Sequence, residues 1–527
     1  MDLTELVARL PGRQKNSIFT FEKGRVVRRT HAALYSDVQA ARARLVACGV
    51  KKGDRVGIRA QNCYQWIVYD LALIELRAVS VAFTEDFASA DARELCEKYG
   101  LSLLLVMASE ASRHARDVTF LACLDDDSRP AKVIERDEPE ADENFDRPWL
   151  IFSSGSSGGI KGITLNRKGV EAWVEAFAGA VVPRQDDCLL LFLPISNFQQ
   201  RPIYYAALWY GFDFIVTDPA RLFLALKQLK PTILIAPPAL YEAFETRFYN
   251  QPKWKRVVAQ AAGEAVRKLP VRTARERLAR LIFKQAYETL GGRMRLMVTG
   301  MAPIKRTTLD LFGRMQLPLF ETYGLVECGS VALNVPGAQK VGSVGRPLPG
   351  LQVELAEDGE IIVRREHMTA LGYFECVEGE SERTFIGDNR VATGDIGRFD
   401  EDGYLYLVGR KKEIIITAGG EKVHPEAIES LINSHPDVAK SVVLGSPSAA
   451  SLSAIVLPKD PHDPAAKARI ESFVESINEH RPSMSVGRVV FTEIMFQREN
   501  GFLRPNLKLD RKRIAEHFRP ELSELGV

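Results

Sequence analysis

Phe152-Ser153-Ser154-Gly155-Ser156-Ser157-Gly158-Gly159-Ile160-Lys161-Gly162 holds eight Ser or Gly in eleven positions. A stretch with so little to bury reads as a loop. It is launched by Pro148-Trp149-Leu150-Ile151-Phe152, an apolar run with proline only at its first position, which predicts a strand. Glycine lets backbone N–H groups approach an anion, the four serines add hydroxyl donors, and Lys161 supplies a compact positive charge. The stretch therefore reads as a polyphosphate cradle. Composition alone would also permit a flexible Ser/Gly linker, against which stand the strand before it and the lysine within it. The mononucleotide loop GxxxxGK[ST] does not fit, because Gly155 is followed at the required spacing by Ile160-Lys161-Gly162, without the glycine before the lysine or the hydroxyl after it.

At 527 residues the chain is too long for one ordinary core, and two or more domains are expected. With 46% hydrophobic and 26% charged residues it has the composition of a soluble globular protein. Seventy Lys and Arg against 68 Asp and Glu leave +2, which gives no reason to propose nucleic acid or an anionic membrane as a partner. Seven scattered cysteines, with no CxxC pair, point to reduced thiols and suggest no zinc site. The first residues lack a basic segment followed by an apolar one, and no apolar run approaches a membrane span, so a cytoplasmic protein is expected.

Residues 1–150 alternate helix and strand patterns, the mark of α/β layering. Ser36 is placed to cap a helix that runs through Leu45 and stops at Gly49, Arg55 to Ile58 reads as a strand, and Trp66 to Leu76 as a helix. Asp125 to Asn144 is charged and poor in apolar residues, which predicts a surface connection. Cys188 to Pro194 reads as a buried strand. Lys253 to Gln285 is helical in pattern, interrupted at Pro270 and rich in arginine, the signature of a solvated outer face. Arg295 to Thr299 reads as a strand ending in the small turn Gly300-Met301-Ala302-Pro303. The stretch from Gly419 carries its own alternation of helix and strand, which predicts a small C-terminal domain.

The cradle ending in Lys161-Gly162 resembles the phosphate loop of the adenylate-forming superfamily, which includes acyl-CoA synthetases, aryl-CoA ligases and adenylation domains. Further segments follow in that family's order: Ile195 to Arg201, Lys230 to Glu242, Thr299 to Pro303, Glu321 to Glu327, Thr393-Gly394-Asp395, Gly409 to Ile415 and Leu503 to Arg511. They are closest to acyl-CoA synthetases. The resemblance implies an α/β fold in which a large domain of layered αβαβα sheets and a β-barrel-like subdomain (1–409) joins a small mobile α+β domain (413–527) through a hinge at 410–412. It implies an ATP-dependent activation of a carboxylic acid to an acyl-adenylate, with release of pyrophosphate, then transfer to coenzyme A. ATP would lie against Ser153, Ser154, Gly155, Ser156, Ser157, Gly158 and Lys161. The turn Gly300, Met301, Ala302 and Pro303 and the run Glu321, Thr322, Tyr323 and Gly324 would hold adenine, and Asp395 and Arg410 the ribose. Glu327 would bind Mg2+, Lys508 would be the adenylation lysine, Lys412 the hinge, and Gly419 and Gly420 would line the pantetheine tunnel.

This chain departs from the family pattern at several positions. Arg77 and Phe83 stand where the family usually carries Gly and Pro, Val326 where it carries Thr, and Asn197 at a histidine position beside the carboxylate. Asparagine donates a hydrogen bond but does not titrate near neutrality; it could instead cap the next helix. Asn197, Phe198 and Tyr204 are the candidates for contact with the acid, and the crowd of aromatics from Phe198 to Trp209 reads either as a pocket for a bulky acid or as core. Two other functions would keep the nucleotide motifs. One is a ligase that passes its adenylate to a carrier protein, a partner enzyme or another nucleophile; the other is a nucleotide-binding protein without turnover, against which the retention of both Lys161 and Lys508 argues.

Overall fold

The computed structural model describes residues 1–112, 120–126, 131–134, 146–154, 160–416, 422–445, 452–480, 485–497, 499–503 and 509–523. Two large sheets form the N-terminal part. In one, the strands run in the order Arg346–Pro347, Gly329–Leu333, Leu319–Leu325, Leu296–Thr299, Ile233–Ala236, Cys188–Leu191, Asp213–Val216, Ser17–Glu22 and Arg25–Thr30. In the other the order is Ala370–Glu375, Ile160–Leu165, Trp149–Ser154, Val79–Ala82, Arg55–Arg59, Leu101–Val106 and Leu121–Cys123. The central strands of both pair in parallel. That is why Cys188–Leu191 and residues 103–106 are continuous apolar runs: both faces of each are covered.

A single core joins the sheets, and its helices include Tyr64–Leu76 and Arg201–Tyr210. The first is apolar on nearly every side and is accordingly buried on nearly every side. It ends on Arg77, which takes a left-handed φ of 55° at the position where the family pattern has glycine. A side chain held in that region costs about 1–2 kcal/mol. The helix expected after a cap at Ser36 instead begins six residues earlier, as His31–Ala47. Thr30 ends the preceding strand in an extended conformation, and its hydroxyl accepts the Ala33 N–H at 3.0 Å, so the cap is already made when the chain reaches Ser36.

Where a β-barrel-like subdomain is expected, the strands Gln352–Leu355, Glu360–Arg364, Arg390–Phe399 and Leu405–Arg410 form a four-stranded antiparallel sheet. After it come the short pair Ile415–Ile416 and Lys422–Val423, the helices Pro425–Ile432 and Pro464–His480, and a sheet of Val438–Leu444, Leu452–Pro458 and Val486–Phe491. These elements bury a core of their own around Ile428, Val443, Ala454 and Val474, as a separate domain requires. Arg511 fastens the last segment to it by pairing with Glu429 (Nη2 to Oε2, 3.0 Å) and Glu413 (3.0 Å).

The aromatics after Asn197 are core. Tyr204 and Tyr205 both donate to the Asp70 carboxylate, the latter at 2.6 Å, and Arg201 pairs with the same group at 3.2 Å. Arg201 also lies over the Trp66 ring at 4.5 Å, and neither it nor Asp70 has any exposed side-chain surface. Removing one partner of a buried pair strands the other charge, at about 3–5 kcal/mol, whereas replacing both with apolar groups is far less damaging. Asp70→Leu should therefore lower the unfolding free energy in denaturant titration by about 3–5 kcal/mol, and Asp70→Leu with Arg201→Met by distinctly less than the single change. A double variant as damaged as the single one would show that the loss is one of shape, not of stranded charge.

Candidate functional site

Trp149–Ser154 and Ile160–Leu165 pair antiparallel with Ser153 opposite Lys161 and Ser154 opposite Ile160, so the Ser/Gly run joins two paired strands. On its other edge Ile160–Leu165 pairs with Ala370–Glu375, with Tyr373 opposite Ile163. This pairing puts the Lys161 amine 4.9 Å from the Tyr373 ring centre, and the Tyr373 hydroxyl donates to Glu327 Oε1 at 2.8 Å. Burial and the neighbouring Glu327 charge raise the Tyr373 hydroxyl well above its ordinary value, so it remains a donor. One tyrosine thus stands between the cradle's lysine and the candidate metal carboxylate.

Lys161 is only 8% exposed, and its amine meets Glu380 Oε1 at 2.7 Å. The same oxygen takes the amine of Lys412 at 3.2 Å. Burial opposes ionisation of Glu380, yet its bonds to Lys161 and then Lys412 hold its carboxyl below the ordinary value. Neither Glu380 nor Tyr373 is among the residues singled out by sequence. Glu378-Gly379-Glu380-Ser381-Glu382 has the look of a solvated acidic turn, and only the fold carries Glu380 inward, as the first residue of the helix Glu380–Thr384.

The strand Leu319–Leu325 brings Glu321, Thr322, Tyr323 and Gly324 beside the turn at 300–303. A Cβ on Gly300 would come within 2.7 Å of Thr322 Cγ2, so the turn and the strand touch. Met301 takes a left-handed φ of 72° and is exposed, a strained conformation of the kind found at binding sites. A register shift at Tyr323/Gly324 interrupts the pairing with Gly329–Leu333, and a Cβ on Gly324 would stand 2.5 Å from Gly329 O. The Tyr323 hydroxyl donates to Asp395 Oδ2 at 2.7 Å, while Arg410 Nε meets Asp395 Oδ1 at 2.8 Å. Asp395 and Arg410 are directly opposite on neighbouring strands. The two candidate ribose residues and the candidate adenine tyrosine form one connected group.

Arg410, Lys411 and Lys412 each meet a carboxylate of the large domain. Arg410 pairs with Asp395, Lys411 with Asp358 and Glu360 (2.6 Å each), and Lys412 with Glu380. Asn197 is exposed and precedes the single turn Phe198–Gln200 without capping it through its side chain. The expectation of a capping asparagine is not met. Phe198 and Tyr204 are packed in the core, so the reading of this crowd as an open acid pocket is replaced by its role around Asp70 and Arg201. Gly155, Ser156, Ser157, Gly158, Gly419, Gly420 and Lys508 lie outside the described residues, as does the side chain of Ser154.

Among the described residues no three His, Cys, Asp or Glu cluster as a metal cage. The donor set at Glu327, one carboxylate fixed by a tyrosine hydroxyl, fits an ion such as Mg2+, which takes one or two protein carboxylates and completes its shell with phosphate and water.

Residues 7–374 match the family described as AMP-binding enzyme, and residues 412–525 match the AMP-binding enzyme C-terminal domain. The chain is 28% identical to the long-chain-fatty-acid–CoA ligase FadD15 of Mycobacterium bovis, over 94% of this chain and 92% of that protein. Among solved structures it is similar in fold to the amide bond synthetase McbA of Marinactinospora thermotolerans, at a TM-score of 0.74 and 21% identity over 98% of this chain and 99% of that one. It is likewise similar to the o-succinylbenzoate coenzyme A synthetase MenE of Bacillus subtilis, solved with ATP and magnesium, at 0.70 and 19% over 93% and 96%.

Burial raises the Glu321 carboxyl to about 7, against the pull of the Gly342 N–H that it accepts at 3.0 Å and of Arg306. A carboxyl raised on folding contributes stability that is whole below its unfolded value and is lost as pH rises through the folded one. The window here runs from 4.5 to about 7. Glu321→Gln keeps the acceptor oxygen and removes the titration. It should match the parent in thermal unfolding at acid pH and exceed it increasingly as pH passes through that window; a gap independent of pH would contradict the assignment.

Proposed function

The chain belongs to the AMP-binding enzyme family, and on that premise we propose that it is an ATP-dependent, AMP-forming acid–CoA ligase that makes an acyl-adenylate from a carboxylic acid and then transfers the acyl group to coenzyme A. One observation carries the chemistry: Lys161, at the paired end of the Ser/Gly loop, is linked through Tyr373 to Glu327, so a cation and a metal-type carboxylate flank one tyrosine. The relatives named as long-chain-fatty-acid–CoA ligases support a fatty acid as the substrate. The packing of Phe198 and Tyr204 into the core removes the reason for favouring a bulky ring.

A carboxylate oxygen attacks the α-phosphorus of ATP, the bond from that phosphorus to the bridging oxygen breaks, and pyrophosphate leaves. Both reactants are anions, so their approach depends on neutralising charge already in place. Lys161 does so at the leaving phosphates, exchanging its bond to Glu380 for one to phosphate. Asp395 accepts from the ribose hydroxyls and Arg410 donates to them, each already oriented by the other and by Tyr323. Magnesium on Glu327 would supply further positive charge to the phosphates. No general base is required, because the carboxylate is already a nucleophile. In the second step the thiol of coenzyme A attacks the acyl carbonyl and AMP leaves.

Lys508 enters this reading on the sequence resemblance, as the lysine that the small domain (413–527) presents to the carboxylate and α-phosphate. The segment 410–412 is the hinge, and a turn about Lys412 then brings Gly419 and Gly420 to the pantetheine path. Such a turn has to release Lys412 from Glu380. A cytoplasmic location accords with the scattered cysteines, and among the described residues no helix is long and apolar enough to cross a membrane.

A unit charge about 4 Å from the reacting phosphate is worth roughly 4 kcal/mol at an effective dielectric near 20, or about three powers of ten in rate. Lys508→Ala should therefore slow acid-dependent pyrophosphate release by about a thousandfold, yet transfer pre-formed acyl-adenylate to coenzyme A at near the parental rate. Equal damage to both half-reactions would contradict the two-position hinge. Adenylate formation by the parent chain without any transfer to coenzyme A would favour a ligase that serves another nucleophile.

A further inference from the structure

The helices Lys253–Arg267 and Arg272–Ile282 form an outer layer that the proposed chemistry does not use. Their surface inverts the usual pattern of an outer helix. Along the first, Trp254, Val257, Val258 and Ala261 recur at helical spacing, and all face solvent; Trp254 is 66% exposed. Along the second, Val271, Leu278, Leu281 and Ile282 do the same, with Leu281 at 74%. The inward side of the first helix is held instead by Gly263 and Val266.

The apolar surface extends beyond these two helices. Phe223, half exposed on Leu222–Leu229, meets the ring of Phe244 at 6.1 Å. Phe244 in turn lines a depression of mixed polar and apolar character together with Phe248, Ala259, Ile282, Arg247 and Gln251, so helices from both sides share it. An exposed patch of this kind marks an interaction surface, because water-facing apolar side chains at helical spacing cost stability and pack against nothing.

Its charge identifies what it meets. Residues 253–284 carry ten Lys and Arg against Glu264 and Glu276, a surplus of eight, although the whole chain carries only +2. Lys253 and Lys255 flank Trp254, and the Lys255 amine lies 5.5 Å from the indole. A second copy of this chain would set eight surplus positive charges against eight, so self-association on this face is opposed. Basic side chains interleaved with a tryptophan and aliphatic stripes fit the headgroup layer of an anionic bilayer, where phosphates take the cations and the apolar side chains dip below them. We propose that this helical pair docks the protein, peripherally, on an anionic phospholipid surface. The inference is independent of the acid-activating reading, since it uses none of the residues of the candidate site.

The test is co-sedimentation of the full chain with phosphatidylcholine vesicles, with and without roughly one-third phosphatidylglycerol, at low salt and at about 0.5 M salt, where screening is strong. Binding is expected to the anionic vesicles at low salt and to fall steeply with salt. Each basic residue near such a surface is worth about a fivefold factor, so Lys253→Glu with Arg277→Glu, which removes two cations, should weaken binding by about 25-fold or more. Trp254→Ser with Leu281→Ser should weaken it through lost insertion. Of the five tryptophans, Trp66, Trp149 and Trp173 are buried and Trp209 is half-buried beneath Arg9, which leaves Trp254 as the exposed one; a blue shift of tryptophan fluorescence on adding anionic vesicles is expected, and Trp254→Phe should abolish most of it. Failure to bind anionic vesicles, equal binding to neutral ones, binding unchanged in both paired variants, or self-association through this face in place of vesicle binding would each overturn the proposal.

Discussion

Charge removed from water has to meet opposite charge, and each part of this molecule is fastened by a pair that obeys that rule. Asp70 and Arg201 meet inside the core shared by the two large sheets. Asp395 and Arg410 lock the last two strands of the four-stranded antiparallel sheet across their pairing. Arg511, with Glu429 and Glu413, ties the last described segment back to the small domain. Such pairs contribute little net stability compared with well-packed apolar groups, but losing one partner is severe, so they fix which arrangement the chain adopts.

The same rule bears on the reaction proposed. Lys161 is nearly buried and needs an anion; Glu380 provides one, and so would the phosphates of ATP. Glu380 also holds Lys412, which links the lysine at the cradle to the residue at the proposed hinge through a single oxygen. A phosphate that draws Lys161 away leaves Lys412 as the remaining partner of Glu380. On the reaction proposed, the state of the nucleotide would in this way be coupled to the contact that a turn of the small domain would have to break.

Much of this was legible in the sequence wherever the determinant is local. The apolar run before the Ser/Gly loop, the small turn at 300–303 and the Thr-Gly-Asp segment each carry their structure within a few residues, and the structure brings Tyr323, Asp395 and Arg410 into one group. What could not be read depends on distant contact. Asp70 lies 131 residues from Arg201, and nothing near either one announces the other. The aromatics after Asn197 spelled pocket as readily as core, and the buried Asp70 carboxylate to which their hydroxyls donate decides between the two. Glu380 sits in an acidic run, and Ser36 offers as good a cap signal as Thr30; the positive surplus of residues 253–284 is plain in the sequence, but that their apolar side chains face outward needs the fold.

The central claim is that a carboxylate oxygen becomes bonded to the α-phosphorus of ATP. Turnover of a fatty acid labelled with oxygen-18 in its carboxyl group, in the presence of coenzyme A, followed by mass spectrometry of the nucleotide and phosphate products, tests it most directly. The account predicts one labelled oxygen in AMP and none in pyrophosphate. Label in inorganic phosphate, with ADP as the nucleotide product, or unlabelled AMP formed in step with the thioester, would contradict it.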